Sequence, residues 1–151
     1  MQSNLIKSMK SLTWKLILPL AVILFFSFSR WVCAKVVDAP NSILQGFPLP
    51  YTCPGWGSSM SIQFFVAEFV IDLLVYFFFF FIAIYLVNRF ICRIRVHKVA
   101  VITLYIIAGF ALSLQVLMYS IDTTFYLHRS FDIKIIQSTY GFFWQNRPDC
   151  F

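Results

Sequence analysis

From Ile62 to Val87 the chain runs for twenty-six residues with only two charged side chains, Glu68 and Asp72, and from Val99 to Tyr119 it runs for twenty-one with none. A helix needs about 20 apolar residues to cross a hydrocarbon core of about 30 Å, so both runs qualify by length. Backbone amides go unpaired in lipid unless they are helical, which overrides the β preference of the Phe77–Phe81 block and of the many Val and Ile residues. Composition points the same way. The 151 residues are 60% hydrophobic and 12% charged, against about 25% charged in soluble domains. So short a chain cannot hide that much apolar surface from water. A soluble enzyme and a disordered tail are both excluded on this ground.

A third, weaker run spans Leu16 to Phe28, with Lys7, Lys10 and Lys15 before it and Pro19 inside it. It admits two readings. Extended to 14–33, with Arg30 snorkelling and Trp14 and Trp31 at the interfaces, it is a signal anchor and a first span. With Val32-Cys33-Ala34 as a small-residue exit, it is a cleaved signal peptide. Charge bias sets the topology in either case. Lys7, Lys10 and Lys15, with Arg89, Arg93, Arg95 and Lys98 between the two long runs, make seven basic residues uncompensated by any acid. Lys and Arg collect on the cytoplasmic side. The N-terminus and residues 88–98 are therefore expected inside, and residues 34–61 and 120–151 outside. The same bases are expected to meet anionic lipid headgroups, and their placement at the ends of apolar runs argues against nucleic acid. The expected fold is an all-α integral membrane protein of three spans (14–33, 62–87 and 99–119) with a small outer cap.

The outer loop is rich in turn formers. Gly46-Phe47-Pro48-Leu49-Pro50-Tyr51 is expected either to run extended along the membrane surface or to pack compactly on the helix tops. Ser58, Ser59 and Ser61 offer caps for the second span. In the tail, Phe131-Asp132-Ile133-Lys134-Ile135 alternates with period two, as a short strand does. Gly141-Phe142-Phe143-Trp144 has an interfacial composition, and the tail is expected to fold back on the outer loop. The Gly-Phe-Pro-Leu-Pro-Tyr loop, Cys53 and the helix bearing Asp72-Leu73-Leu74-Val75-Tyr76-Phe77 together resemble short uncharacterised bacterial inner-membrane proteins. The resemblance covers residues 46–90; it implies location and topology and brings no activity.

Cys33, Cys53 and Cys150 fall outside and Cys92 inside. Disulfides persist only in oxidising compartments, so a Cys53–Cys150 bridge is expected, with Cys33 left as a membrane-proximal thiol if the first segment is retained. No C-x-x-C supports a redox or zinc site. His97 and His128 lie on opposite sides, and no hydrolase, zincin, P-loop or dinucleotide motif is present. No cofactor, metal or catalytic residue is expected.

Glu68 and Asp72 carry the most information, because they stand one turn apart on one face that continues to Tyr76. Asp72 is sixteen residues above Asn88, about 24 Å, which puts it inside the hydrocarbon. A carboxyl group there needs a partner, a proton or an aqueous cleft. Gln115 on the third span stands at similar depth, and Gly109 and Ser113 form a small-xxx-small pair that permits close helix approach. The structural reading has Asp72 bonded to Gln115 and Tyr side chains, holding two helices together. The functional reading makes Glu68 and Asp72 a proton or cation site. The sequence thus predicts a non-enzymatic accessory or structural subunit of a membrane assembly, contacting lipid and other subunits or itself, with an oligomeric channel or ion-coupled component as the alternative.

Overall fold

The computed structural model describes residues 12–36, 41–58, 61–91, 96–142 and 145. The architecture is mixed α/β, which overturns the all-α expectation. A π-type turn at Thr13–Ile17 leads into helix α1 (Leu18–Ser27), and four strands follow: β1 (Phe28–Val36), β2 (Ser42–Gln45), β3 (Thr52–Pro54) and β4 (Ile62–Phe65). Helix α2 (Val66–Leu86) ends in a second π-type turn at Val87–Ile91. Helix α3 (Lys98–Tyr119) then leads to β5 (Thr123–Tyr126) and β6 (Ile133–Phe142).

The six strands form one sheet in the order β5-β4-β3-β2-β1-β6. Every pairing is antiparallel except β4 with β5, which run parallel from Ile62↔Thr123 to Phe65↔Tyr126. β1 and β6 pair over nearly their whole length, from Phe28↔Phe142 to Val36↔Ile133, with a register shift at Cys33/Ala34. The segments on either side of α2 and α3 therefore meet in one sheet at one end of the helices.

Two of the expected spans lose a piece to this sheet. The first helical stretch, Thr13–Ser27, is short, and only α2 with its terminal turn (Val66–Ile91) and α3 are long and apolar enough to cross a membrane. Residues 28–33, read as the end of a span, instead belong to β1, an interior strand of the sheet with β2 on one side and the edge strand β6 on the other. Ile62–Phe65 likewise pairs as β4 before the helix begins at Val66. The cause is a limit of pattern: in an unbroken apolar run, periodicity does not separate a doubly buried strand from a helix. The partner strands decide, and they lie far away in sequence.

Two apolar clusters flank the sheet. Ala21, Phe25, Tyr51, Phe64 and Tyr76 pack at the junction of sheet and helices. Val32, Ala34, Leu44, Cys53 and Phe65 form the second cluster, with Phe131 and Ile133 against it. Phe64 and Phe65 show the strand alternation directly, one ring going to each cluster. Helix α1 packs on both α2 and α3, while α2 and α3 hardly meet each other. Its buried Ala21 and Phe25, with Ile17 of the preceding turn, are part of the core.

Candidate functional site

The site is built where the N-terminal end of α2 leaves the sheet. Glu68, Asp72 and Tyr76 recur every four residues on the inward face of α2 and are 5%, 0% and 6% exposed. Each touches a different segment. The Asp72 Oδ1 accepts the Leu49 backbone N–H at 2.9 Å. The Glu68 Oε1 accepts the Arg129 backbone N–H at 3.3 Å and pairs with His128 Nδ1 at 2.7 Å. Tyr76 packs edge-on against Phe25 and Phe47. The two carboxylates thus fasten the β2–β3 loop and the segment after β5 onto one helix.

The loop from Gly46 to Tyr51 is compact and does not run extended. The Phe47–Pro48 peptide is cis and Gly46 has a φ of 149°. The Gly46 N–H donates to Arg30 O at 3.0 Å, Tyr51 N–H to Gln45 O at 3.0 Å, and Phe65 N–H to Tyr51 O at 2.8 Å. The Tyr51 ring then stacks on Phe25 and meets Phe64 and Phe69 edge-on. The loop is thereby wedged between β1, β4 and α2, with Leu49 N–H directed at Asp72.

Three buried oxygens on this face have no hydrogen-bond partner: Glu68 Oε2, Asp72 Oδ2 and Tyr76 Oη. Buried polar atoms are nearly always paired, so an orphaned set on one helix face is unusual. Among the described residues no group of three metal-ligating side chains is present.

The expected contact between Asp72 and Gln115 is not made. Asp72 is held by the β2–β3 loop, and Gln115 lines a separate cavity between α3, β4 and β5. Gly109 has open space where a Cβ would stand, and the Ser113 hydroxyl donates to Phe110 O in its own helix. The small-residue pair therefore meets no helix, and Ala108 is the buried residue of α3. Arg89 and Lys98 are exposed at the other end of the helices, whereas Arg93 and Arg95 lie outside the described residues. His128 and the 46–51 loop, the true partners of the two carboxylates, carry no local sequence signal for that role.

The cysteines also differ from expectation. Cys53 is a free, buried thiol, so the Cys53–Cys150 bridge is overturned; Cys150 lies outside the described residues. Cys33 is disulfide-bonded. Burial pushes the Cys53 thiol up from 9.0 to about 11, against the smaller opposing effects of a hydrogen bond with Ser42 and the charge of Arg129. A rise from 9.0 to about 11 lowers the thiolate fraction near neutral pH about 100-fold. Alkylation of the folded protein should therefore spare Cys53, which should label fully on denaturation, while Cys33 should label only after reduction. Labelling of Cys53 in the folded state at the rate of a free thiol would contradict its burial. Comparison with protein families, curated proteins and solved structures finds no match.

Proposed function

We propose that the chain is a non-enzymatic subunit embedded in a bacterial cell membrane, with α2 and α3 in lipid and the sheet at the outer face as a docking element for other membrane subunits. The observation that carries this reading is the bareness of the two long helices. In their most apolar stretches only 17% of α2 with its terminal turn, and 6% of α3, is buried inside the molecule. Phe78, Phe79, Ile82, Ile106 and Phe110 stand exposed, far beyond the apolar patch a soluble monomer shows to water. Lipid covers such a surface at no cost. The docking half of the reading is supported by β6, a ten-residue edge strand with Ile135, Ile136 and Tyr140 about half exposed. Long apolar edges are normally blunted or covered, and a partner strand or subunit does that.

Two measurements test this. The protein should stay with membranes through an alkaline carbonate wash, and a reporter active only outside the cytoplasm should work when fused after Phe151. Release by the wash, or activity of a cytoplasm-only reporter in its place, would refute the placement. Mild-detergent purification should then bring down a stoichiometric membrane partner; a lone monomer would refute the subunit role. The orphaned oxygens of Glu68, Asp72 and Tyr76 favour a second reading, a proton- or cation-coupled component. Asp72→Asn separates the two: a structural carboxylate tolerates the amide, whereas ion handling is abolished while folding is unchanged.

A further inference from the structure

A cavity of about 510 Å³ opens beside the site, between the last two turns of α3, the start of α2, and strands β4 and β5. Its walls are the rings of Phe26, Phe64, Phe69 and Phe125 with the aliphatic Leu112 and Val116. These rings brace one another: Phe64 stands 5.0 Å from Phe69, 5.2 Å from Tyr119 and 5.5 Å from Phe125, centroid to centroid. Side chains locked in mutual ring contacts do not collapse into the space, so the cavity is preformed. Its volume lies in the range of about 300–1,000 Å³ typical of sites for small organic ligands.

The polar groups in the wall are few and neutral. Thr123 Oγ1 is buried with no partner, and the Gln115 amide also lines the space. The Ser120 hydroxyl is already used, donating to Leu117 O. Among the described residues no charged side chain lines the cavity, which disfavours phosphates, carboxylates and metal ions as its contents. Gln115 lies four residues from the end of α3, about 6 Å along the axis. If the helices cross the bilayer, that level is just inside its outer boundary, where lipid chains begin at their ester groups. The outer wall runs on without a break into the exposed apolar surface of α3 at Val116 and Leu117.

We infer that this cavity holds one acyl chain of a membrane phospholipid, its ester carbonyl accepting a hydrogen bond from Thr123 or Gln115. The inference rests on the membrane placement proposed above, and its test keeps the two apart. Full-length protein is reconstituted in phosphatidylcholine vesicles doped with a phosphatidylcholine carrying a diazirine on one acyl chain, irradiated, and its adducts mapped. Adducts should concentrate at Leu112–Tyr119 and Phe125, with a weaker background at Phe78, Phe79 and Ile82 on the bare face of α2. Gln115→Trp, which fills the space, should cut the cavity adducts about tenfold and leave that background unchanged. Thr123→Val should lower them for the ester lipid but not for an ether-linked analogue without the carbonyl. Excess unlabelled fatty acid should not displace them. Background adducts without a cavity excess, or a cavity excess indifferent to both variants, would overturn the inference while membrane placement stands. Displacement by fatty acid would assign the site to a free acid and overturn the phospholipid. An absence of adducts everywhere would overturn membrane placement, and the inference with it.

Discussion

Gly46→Ala should destabilise the protein by about 3 kcal/mol or more, the sum expected from a forbidden backbone conformation and an overpacked site. Gly46 has a φ of 149°, a conformation L side chains rarely adopt. A Cβ there would run into the carbonyl oxygen of Leu49, and it would stand 2.7 Å from both the Tyr51 ring and the Tyr51 nitrogen. Neither backbone atom can yield, because Tyr51 N–H is bonded to Gln45 O and Leu49 N–H to Asp72. The loop would have to leave its seat, taking Tyr51 out of the stack with Phe25. Thermal unfolding in mild detergent, followed by near-UV circular dichroism, measures the loss. An unchanged midpoint would show that the loop does not hold this conformation. A control change at Gly57, where a Cβ meets nothing within 4 Å, should be nearly silent.

The second large effect is expected at Asp72. Asp72→Leu removes the acceptor of the Leu49 N–H and leaves that part-buried donor unpaired, at a cost of about 1–3 kcal/mol. Asp72→Asn retains an oxygen at the same place and should cost much less. Both variants, compared by the same unfolding assay, form a graded series of native, Asn and Leu. If Leu is as stable as the native protein, the bond to the loop contributes nothing. Protease sensitivity localises the effect, since the bond fastens the 46–51 loop and cleavage there should accelerate in the Leu variant first.

What the sequence made legible follows from how local each signal is. The two long apolar runs needed no partner to be read, and α2 and α3 cover most of 62–87 and 99–119. The turn-rich loop and the alternating residues near Ile133 also announced their local geometry. The sheet did not announce itself. β1 is an apolar continuation of α1 with no glycine or proline between them, and β4 is an apolar beginning of α2. In each the identity of the element is set by strands that lie remote in the chain, such as β6 more than a hundred residues after β1 begins. The candidate site was half legible. A four-residue spacing put Glu68, Asp72 and Tyr76 on one face, and their charge marked that face as inward. Their partners were misread because depth along a helix was compared with another helix, whereas the acceptor was taken up by a loop that returns from the sheet. Thr123 gave no signal at all, since a single hydroxyl after a helix is ordinary in any chain.

The joints between helices and sheet leave almost no slack. Ser27 ends α1 and Phe28 begins β1; Phe65 ends β4 and Val66 begins α2; only three residues separate Tyr119 from Thr123. All three helices are therefore clamped at one end to the same plate, and α2 and α3, which hardly touch each other, are joined through it and through α1, which packs on both. A lever hinged at one end moves most at the other. In the membrane placement proposed above, a bilayer that thins or thickens would be met in part by tilting of the long helices, and with the ends at the sheet pinned, that tilt would show as spreading or closing of the end that bears Arg89 and Lys98. The parallel pair β4–β5 joins the head of α2 to the tail of α3, with the Glu68 contacts to His128 and Arg129 beside it, so this joint takes up the torque of both.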